Sequence, residues 1–129
     1  MSADKLKILV LDDEPIVCKR LQPALEKLGF EVTTFTQSLD ALHEIQENVY
    51  DLIITDLKMK GIDGMKFLQE AKKRHPQTEV IVITGFATLE TAKESFQKGV
   101  FDFIAKPFKL SEIQKVVTQA AAKIQQAAG

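Results

Sequence analysis

Five short runs of uninterrupted apolar residues, each followed by a stretch with helical spacing and then a Gly, Pro or Asn break, constrain this chain more than any other feature. The runs are Leu6–Leu11, Val32–Phe35, Leu52–Thr55, Val80–Ile83 and Phe101–Ala105. All but the second lack alternation, as strands covered on both faces must, so they predict a parallel sheet with helices on each side. The first helix opens at Pro15 and turns Val17, Leu21, Ala24 and Leu28 inward before Gly29 closes it. The second spans Ser38 to Glu47 with Leu39, Leu42 and Ile45 inward. The third spans Gly64 to Arg74, buries Phe67, Leu68 and Ala71, and stops at His75-Pro76. The fourth uses Leu89, Ala92 and Phe96 and ends at Gly99, and the fifth places Ile113, Val117, Ala120 and Ile124 in one stripe. Strand and helix thus alternate five times within 129 residues, which predicts one doubly wound α/β domain over 1–122, with 123–129 as a helical tail or the start of a linker.

Composition narrows the functional classes. With 17 basic against 18 acidic residues the formal charge is −1, so the basic excess of a nucleic-acid or membrane surface is absent. The single Cys18 cannot form an intrachain disulfide and reads as a small core or boundary residue. No run approaches the ~18–20 apolar residues of a membrane span. Met1-Ser2-Ala3-Asp4-Lys5 lacks the apolar core of a secretory signal, so the expected location is the cytoplasm.

In an open parallel sheet, ligands bind beyond the carboxyl ends of the strands. Asp12, Asp13 and Glu14 follow the first run, Asp56 the third, Thr84-Gly85 the fourth and Lys106-Pro107 the fifth. Right-handed crossovers bring all these ends to one edge. Three aspartates placed together repel unless a cation neutralises them. Oxygen ligands without His or Cys suit a hard divalent ion such as Mg²⁺. A lysine and a hydroxyl beside them complete what phosphoryl transfer needs: neutralisation, positioning and a carboxylate nucleophile.

Leu9-Val10-Leu11-Asp12-Asp13-Glu14, Ile53-Ile54-Thr55-Asp56, Val82-Ile83-Thr84-Gly85 and Phe103-Ile104-Ala105-Lys106-Pro107-Phe108 together resemble the receiver domain of bacterial two-component response regulators, over essentially the whole chain. The resemblance implies a flavodoxin-like five-stranded sheet of order 2-1-3-4-5. It implies Asp56 as phospho-acceptor for a sensor histidine kinase, with Mg²⁺ on Asp12, Asp13, Asp56 and the backbone carbonyl of Lys58. Thr84 and Phe103 would be the switch residues and Lys106 the phosphoryl-binding lysine, with a cis Lys106-Pro107 bond. The fourth helix, fifth strand and fifth helix would form the switching face, presented to an output domain or effector and open to homodimer formation. Phe86, Phe96, Phe101 and Phe108 are expected on or near that face. The segments Thr84–Ala92 and Gly99–Phe103 are most similar to receivers of enhancer-binding, nitrogen-regulatory transcription activators.

Taken singly, each motif has a plainer reading. Asp12-Asp13-Glu14-Pro15 could be a capped helix start, Lys106 a surface lysine and Thr84 a turn residue; their joint placement at four strand ends is what those readings leave unexplained. His43 and His75 fall away from the strand ends, and Lys72-Lys73-Arg74 reads as a solvated helix end. Two departures from the receiver pattern stand out. The loop after Asp56 runs Met59-Lys60-Gly61-Ile62-Asp63-Gly64 without the usual proline, which brings Lys60 near the site, and Lys109 replaces the usual cap of the fifth helix, leaving Ser111 as an alternative start. Among rivals, a Mg²⁺-dependent phosphatase of the haloacid-dehalogenase type carries its aspartate nucleophile after strand one in an Asp-x-Asp pattern that Asp12-Asp13-Glu14 lacks. A flavodoxin-like electron carrier needs a phosphate loop there, and three acids would repel a phosphate.

Overall fold

The computed structural model describes residues 5–59, 61 and 63–128. Five strands, β1 (Lys7–Leu11), β2 (Glu31–Phe35), β3 (Leu52–Thr55), β4 (Glu79–Thr84) and β5 (Asp102–Ala105), alternate with five helices, α1 (Pro15–Glu26), α2 (Ser38–Glu47), α3 (Gly64–Arg74), α4 (Leu89–Gln97) and α5 (Leu110–Ala128). The strands are all parallel, in the order β2-β1-β3-β4-β5.

Successive side chains of a strand point to opposite faces, and the two cores follow from that period. Ile8, Val10, Ile54, Ile81 and Ile83 meet α1 and α5 through Leu21, Leu25, Ile113 and Val117. Leu9, Leu11, Ile53, Val80 and Val82 meet α2 and α3 through Ile45, Phe67 and Leu68. Nearly every residue of β1, β3 and β4 is buried, which explains their unbroken apolar sequences. Cys18 is buried within the first of these clusters.

Helix register differs from expectation in three places. In α1 the inward residues are Val17, Cys18, Leu21 and Leu25, and the helix ends at Glu26, leaving Leu28 44% exposed and Ala24 half-buried. In α2 the inward stripe is Ser38, Ala41 and Ile45, at helical spacing, so Leu39, one residue out of phase, is 56% exposed. The largest difference is α4, whose buried residue is Ser95, while Leu89 is 86% and Phe96 50% exposed. Its Thr88–Thr91 capping box fixes the first turn, and Ser95 Oγ donates to the Thr91 carbonyl on the same face. The polar Thr91–Ser95 side therefore faces the sheet and the apolar side faces water. Helix α5 begins at Leu110, with the amides of Glu112 and Ile113 donating to the Lys109 carbonyl, rather than at Ser111. It continues unbroken past residue 122, and Lys123 holds its last turns to Glu79 at 3.1 Å and lies 5.7 Å over the Phe101 ring. Phe108 is buried against α1 and α5 beneath Arg20, so it is not part of the face formed by α4, β5 and α5.

Candidate functional site

The carboxyl ends of β1, β3, β4 and β5 form one edge, and the chain continues from each into a side chain of the site. Asp12 extends β1, its N–H donating to the Phe35 carbonyl, and Asp56 extends β3, its N–H donating to the Leu11 carbonyl. Both are buried, at 0% and 4% exposure, because the ladder carries them one residue beyond the apolar strand before the chain turns outward. Backbone amides then fix both carboxylates. Asp12 Oδ1 accepts from Glu14 N–H at 2.9 Å, and Asp56 Oδ1 accepts from Leu57 N–H at 2.6 Å and Lys58 N–H at 3.3 Å. Beneath them the Cys18 thiol donates to the Asp12 carbonyl at 3.6 Å.

Lys106 enters from the far side. Its strand is two places from β3 in the sheet, a gap of about 10 Å, so only a long side chain can bridge it. The amide of Lys106 donates to the Thr84 carbonyl at 2.8 Å and the Lys106-Pro107 bond is cis. The ammonium lies 2.8 Å from Asp12 Oδ2, 2.7 Å from Glu14 Oε1 and 2.8 Å from Asp56 Oδ2. Burial alone would lower its pKa, but the three carboxylates against the ammonium, Asp12, Asp56 and Glu14, overcome that and hold it above the usual lysine range. Asp12 shows the opposite balance. Burial pushes its carboxyl above the ordinary aspartate value and the Asp56 charge adds to the rise, while Lys106 and the Glu14 amide oppose it without cancelling it. Asp12 Oδ2, although close to Lys106, has no well-aligned hydrogen bond.

Asp12, Asp13 and Asp56 each offer an oxygen within 4.8 Å of the others, the one such grouping among the described residues. A buried carboxylate oxygen without an aligned donor, its pKa raised, and two further carboxylates at that spacing fit a hard divalent cation, which would supply the missing positive charge.

Thr84 closes β4 fully buried, its hydroxyl oxygen accepting from Phe86 N–H at 3.0 Å. Phe103 on β5 is partly buried against the α2–α3 core. The Lys58 ammonium lies 5.3 Å over the exposed Phe86 ring, linking the loops that follow β3 and β4 across the top of the site. Lys60 lies outside the described residues. His75 Nε2 sits 3.0 Å from the Ile45 carbonyl, and His43 is exposed on α2.

Two residues act in ways the sequence reading missed. Glu14, placed at the strand end beside Asp12 and Asp13 but given no role of its own, turns back to Lys106. Gly64, at the first position of α3, lies so close to the loop after β3 that a Cβ there would sit 1.9 Å from the Asp56 carbonyl oxygen and 2.5 Å from Leu57 Cα. Its own N–H donates to the Leu57 carbonyl at 2.9 Å. A poor helix former opening a helix was the available signal.

Comparison with known proteins agrees with this geometry. The family described as response regulator receiver domain matches residues 8–118. The transcriptional regulatory protein ZraR of Klebsiella oxytoca is 33% identical over 122 residues, covering 95% of this chain and 28% of that protein. The DNA-binding transcriptional regulator NtrC of Escherichia coli is 32% identical over 119 residues, covering 92% of this chain and 25% of that protein. The chain thus spans about a quarter of the length of these relatives. Among solved structures, a response regulator of Burkholderia pseudomallei with a phosphorylated aspartic acid, a calcium ion and citrate superposes with a TM-score of 0.81 at 25% identity, covering 98% of this chain and 74% of that one. With the parallel order β2-β1-β3-β4-β5, the acidic edge and these matches together, the chain belongs to the response regulator receiver domain family.

Proposed function

We propose that this domain accepts a phosphoryl group on Asp56 from a phosphohistidine of a sensor histidine kinase and transmits the change through the face formed by α4, β5 and α5. The observation that carries the reading is the convergence of Asp12, Asp13 and Asp56 around a lysine reaching from β5, with Asp12 Oδ2 lacking an aligned donor. Mg²⁺, held by Asp12, Asp13, Asp56 and the backbone carbonyl of Lys58, supplies charge neutralisation at the phosphoryl oxygens when bound. In the transfer, an oxygen of Asp56 forms the new bond to phosphorus as the bond to the donor imidazole nitrogen breaks. The electron pair leaves with the imidazole, which takes a proton from solvent. The Leu57 and Lys58 amides hold the nucleophile in place. Lys106 then meets one phosphoryl oxygen and Thr84 another, the Thr84 hydroxyl giving up its place on Phe86 N–H. Phe103 turns inward behind Thr84, biasing an equilibrium between two arrangements of the output face.

The outward apolar side of α4 supports that output role. Leu89, Phe96 and nearby Phe86 are large apolar side chains left exposed, as expected for a face read by an output domain, an effector or a second receiver. We assign residues 1–122 to the receiver body and 123–129 to the helical lead toward a linker. Working as a phospho-acceptor rather than as an enzyme on a separate substrate, it would act in the cytoplasm; among the described residues no helix is long and apolar enough to cross a membrane.

Incubation of wild type and Asp56→Asn with Mg²⁺ and a small acyl phosphate, followed by intact mass, tests the assignment. Wild type should gain one phosphoryl group and the variant none; no gain by wild type, or equal gain by both, overturns it.

A further inference from the structure

Resting on that phospho-acceptor reading, we propose that Glu14 is a positioning residue that occupies Lys106 in the resting domain and must release it before the lysine can bind a phosphoryl oxygen. A lysine ammonium has three N–H donors. Here three carboxylates surround it, Asp12 and Asp56 at 2.8 Å and Glu14 at 2.7 Å, so an oxygen of an incoming phosphoryl donor, before its phosphorus bonds Asp56, must displace one of them. Asp12 and Asp56 are buried and tied to backbone amides, and neither can withdraw without breaking those bonds. The Glu14 side chain is 58% exposed, so its carboxylate can return to water at little cost.

The helix start points the same way. Glu14 holds the N-cap position of α1 with extended backbone, yet its side chain caps no amide of its own helix, and Asp12 Oδ1 takes the Glu14 N–H instead. A side chain suited to stabilise the helix N-terminus is turned away from it toward a lysine 92 residues distant. That orientation serves Lys106 and not α1. It also places a negative charge beside the path of an anionic donor. Glu14 therefore keeps the lysine both placed and neutralised, and slows phosphoryl capture until a donor competes for the ammonium.

Two variants separate contact from charge. Glu14→Gln keeps the length and loses the charge; Glu14→Asp keeps the charge but is a methylene too short to hold the same contact. With Mg²⁺ and acetyl phosphate, both should be phosphorylated about two- to fivefold faster than wild type, the range of one partly exposed ion pair. In the metal-free protein without donor, the exchange-protected ammonium resonance of Lys106 should be present in wild type and broadened or lost in both variants. That second readout does not depend on phosphorylation and would not respond to a merely structural role. Acceleration by Gln with Asp at the wild-type rate would assign the effect to charge at a distance and overturn the contact. So would an unchanged Lys106 resonance, or unchanged rates in both variants alongside a phosphorylated wild type. Failure of wild type itself to be phosphorylated, with the Lys106 resonance responding as expected, would instead remove the phospho-acceptor reading.

Discussion

The two edges of the sheet treat buried polar groups in opposite ways. At the edge where the strands begin, the buried side-chain polar atoms of the described residues all have partners. The Tyr50 hydroxyl donates to Glu44 Oε2 at 2.6 Å, the Thr78 hydroxyl donates to the Tyr50 carbonyl at 2.6 Å, and Lys7 N–H donates to Asp51 Oδ2 at 2.8 Å. At the edge where the strands end, like charges crowd together and Asp12 Oδ2 lacks an aligned donor. The first arrangement is what a stable fold requires. The second carries an electrostatic cost in the resting protein that a bound cation would relieve. Cavity size points elsewhere: concavities of about 620 Å³ along Leu89, Ala92 and Phe96 of α4 and about 480 Å³ lined by Leu28, Phe30 and Ala121 both exceed the one of about 240 Å³ that Leu57, Lys58 and Asp63 line beside the site. Charge that is not fully compensated, more than depth, marks the functional end of this molecule.

The contrast breaks most visibly through Lys106, the ammonium shared by three carboxylates at the strand ends. Lys106→Met should lower unfolding stability by roughly 2–3 kcal/mol at pH 7 in chelator, measured in urea, because it leaves buried carboxylates without their cation. Added Mg²⁺ should recover much of the loss; a variant equally unstable with and without Mg²⁺ would mean that the site is not built for a cation.

A smaller effect is expected at the satisfied edge. Burial, reinforced by the hydrogen bond to Glu44, pushes the Tyr50 phenol up to about 12 from 10.0. Because the folded value lies above the unfolded one, this contribution is complete below pH 10 and is lost as the pH rises toward 12. Wild type should thus lose about 2 kcal/mol relative to Tyr50→Phe across that window, and parallel stability curves for the two proteins would contradict it.

The smallest effect has the opposite sign. The pKa of Asp12 is raised, so its neutral form is the favoured one in the fold: that stabilisation is present below 3.8 and is lost as the pH rises through the elevated folded value. At pH 7 the ionised group is a net cost. Asp12→Asn should therefore raise the metal-free Tm by about 3 °C and remove the rise that Mg²⁺ gives to wild type. A lower Tm would show that the strand-end edge is as well compensated as the other.

Much of this was legible before folding was considered. Uninterrupted apolar runs identified β1, β3 and β4, since only strands covered on both faces tolerate such composition, and each run is followed by a residue of the site. Asp12, Asp56, Thr84 and Lys106 could be found because parallel connections bring strand ends to a common edge. Helix orientation was less legible. One residue of phase rotates a side chain by about 100°, so Leu39 and Leu89, read as inward, face water while Ser38 and Ser95 face the sheet. The apolar content of α4 was visible, but its outward direction depends on the capping box and on what the sheet beneath accepts.

The sequence by itself determined the alternation of strands and helices, the two-sided core and the chemistry available at the strand ends, because these follow from hydrophobic period and residue type. Only the tertiary structure decided which carboxylates share Lys106, why position 64 has no room for a side chain, and which face of α4 is left to solvent. Those depend on distances between residues remote in the chain, which local pattern does not encode.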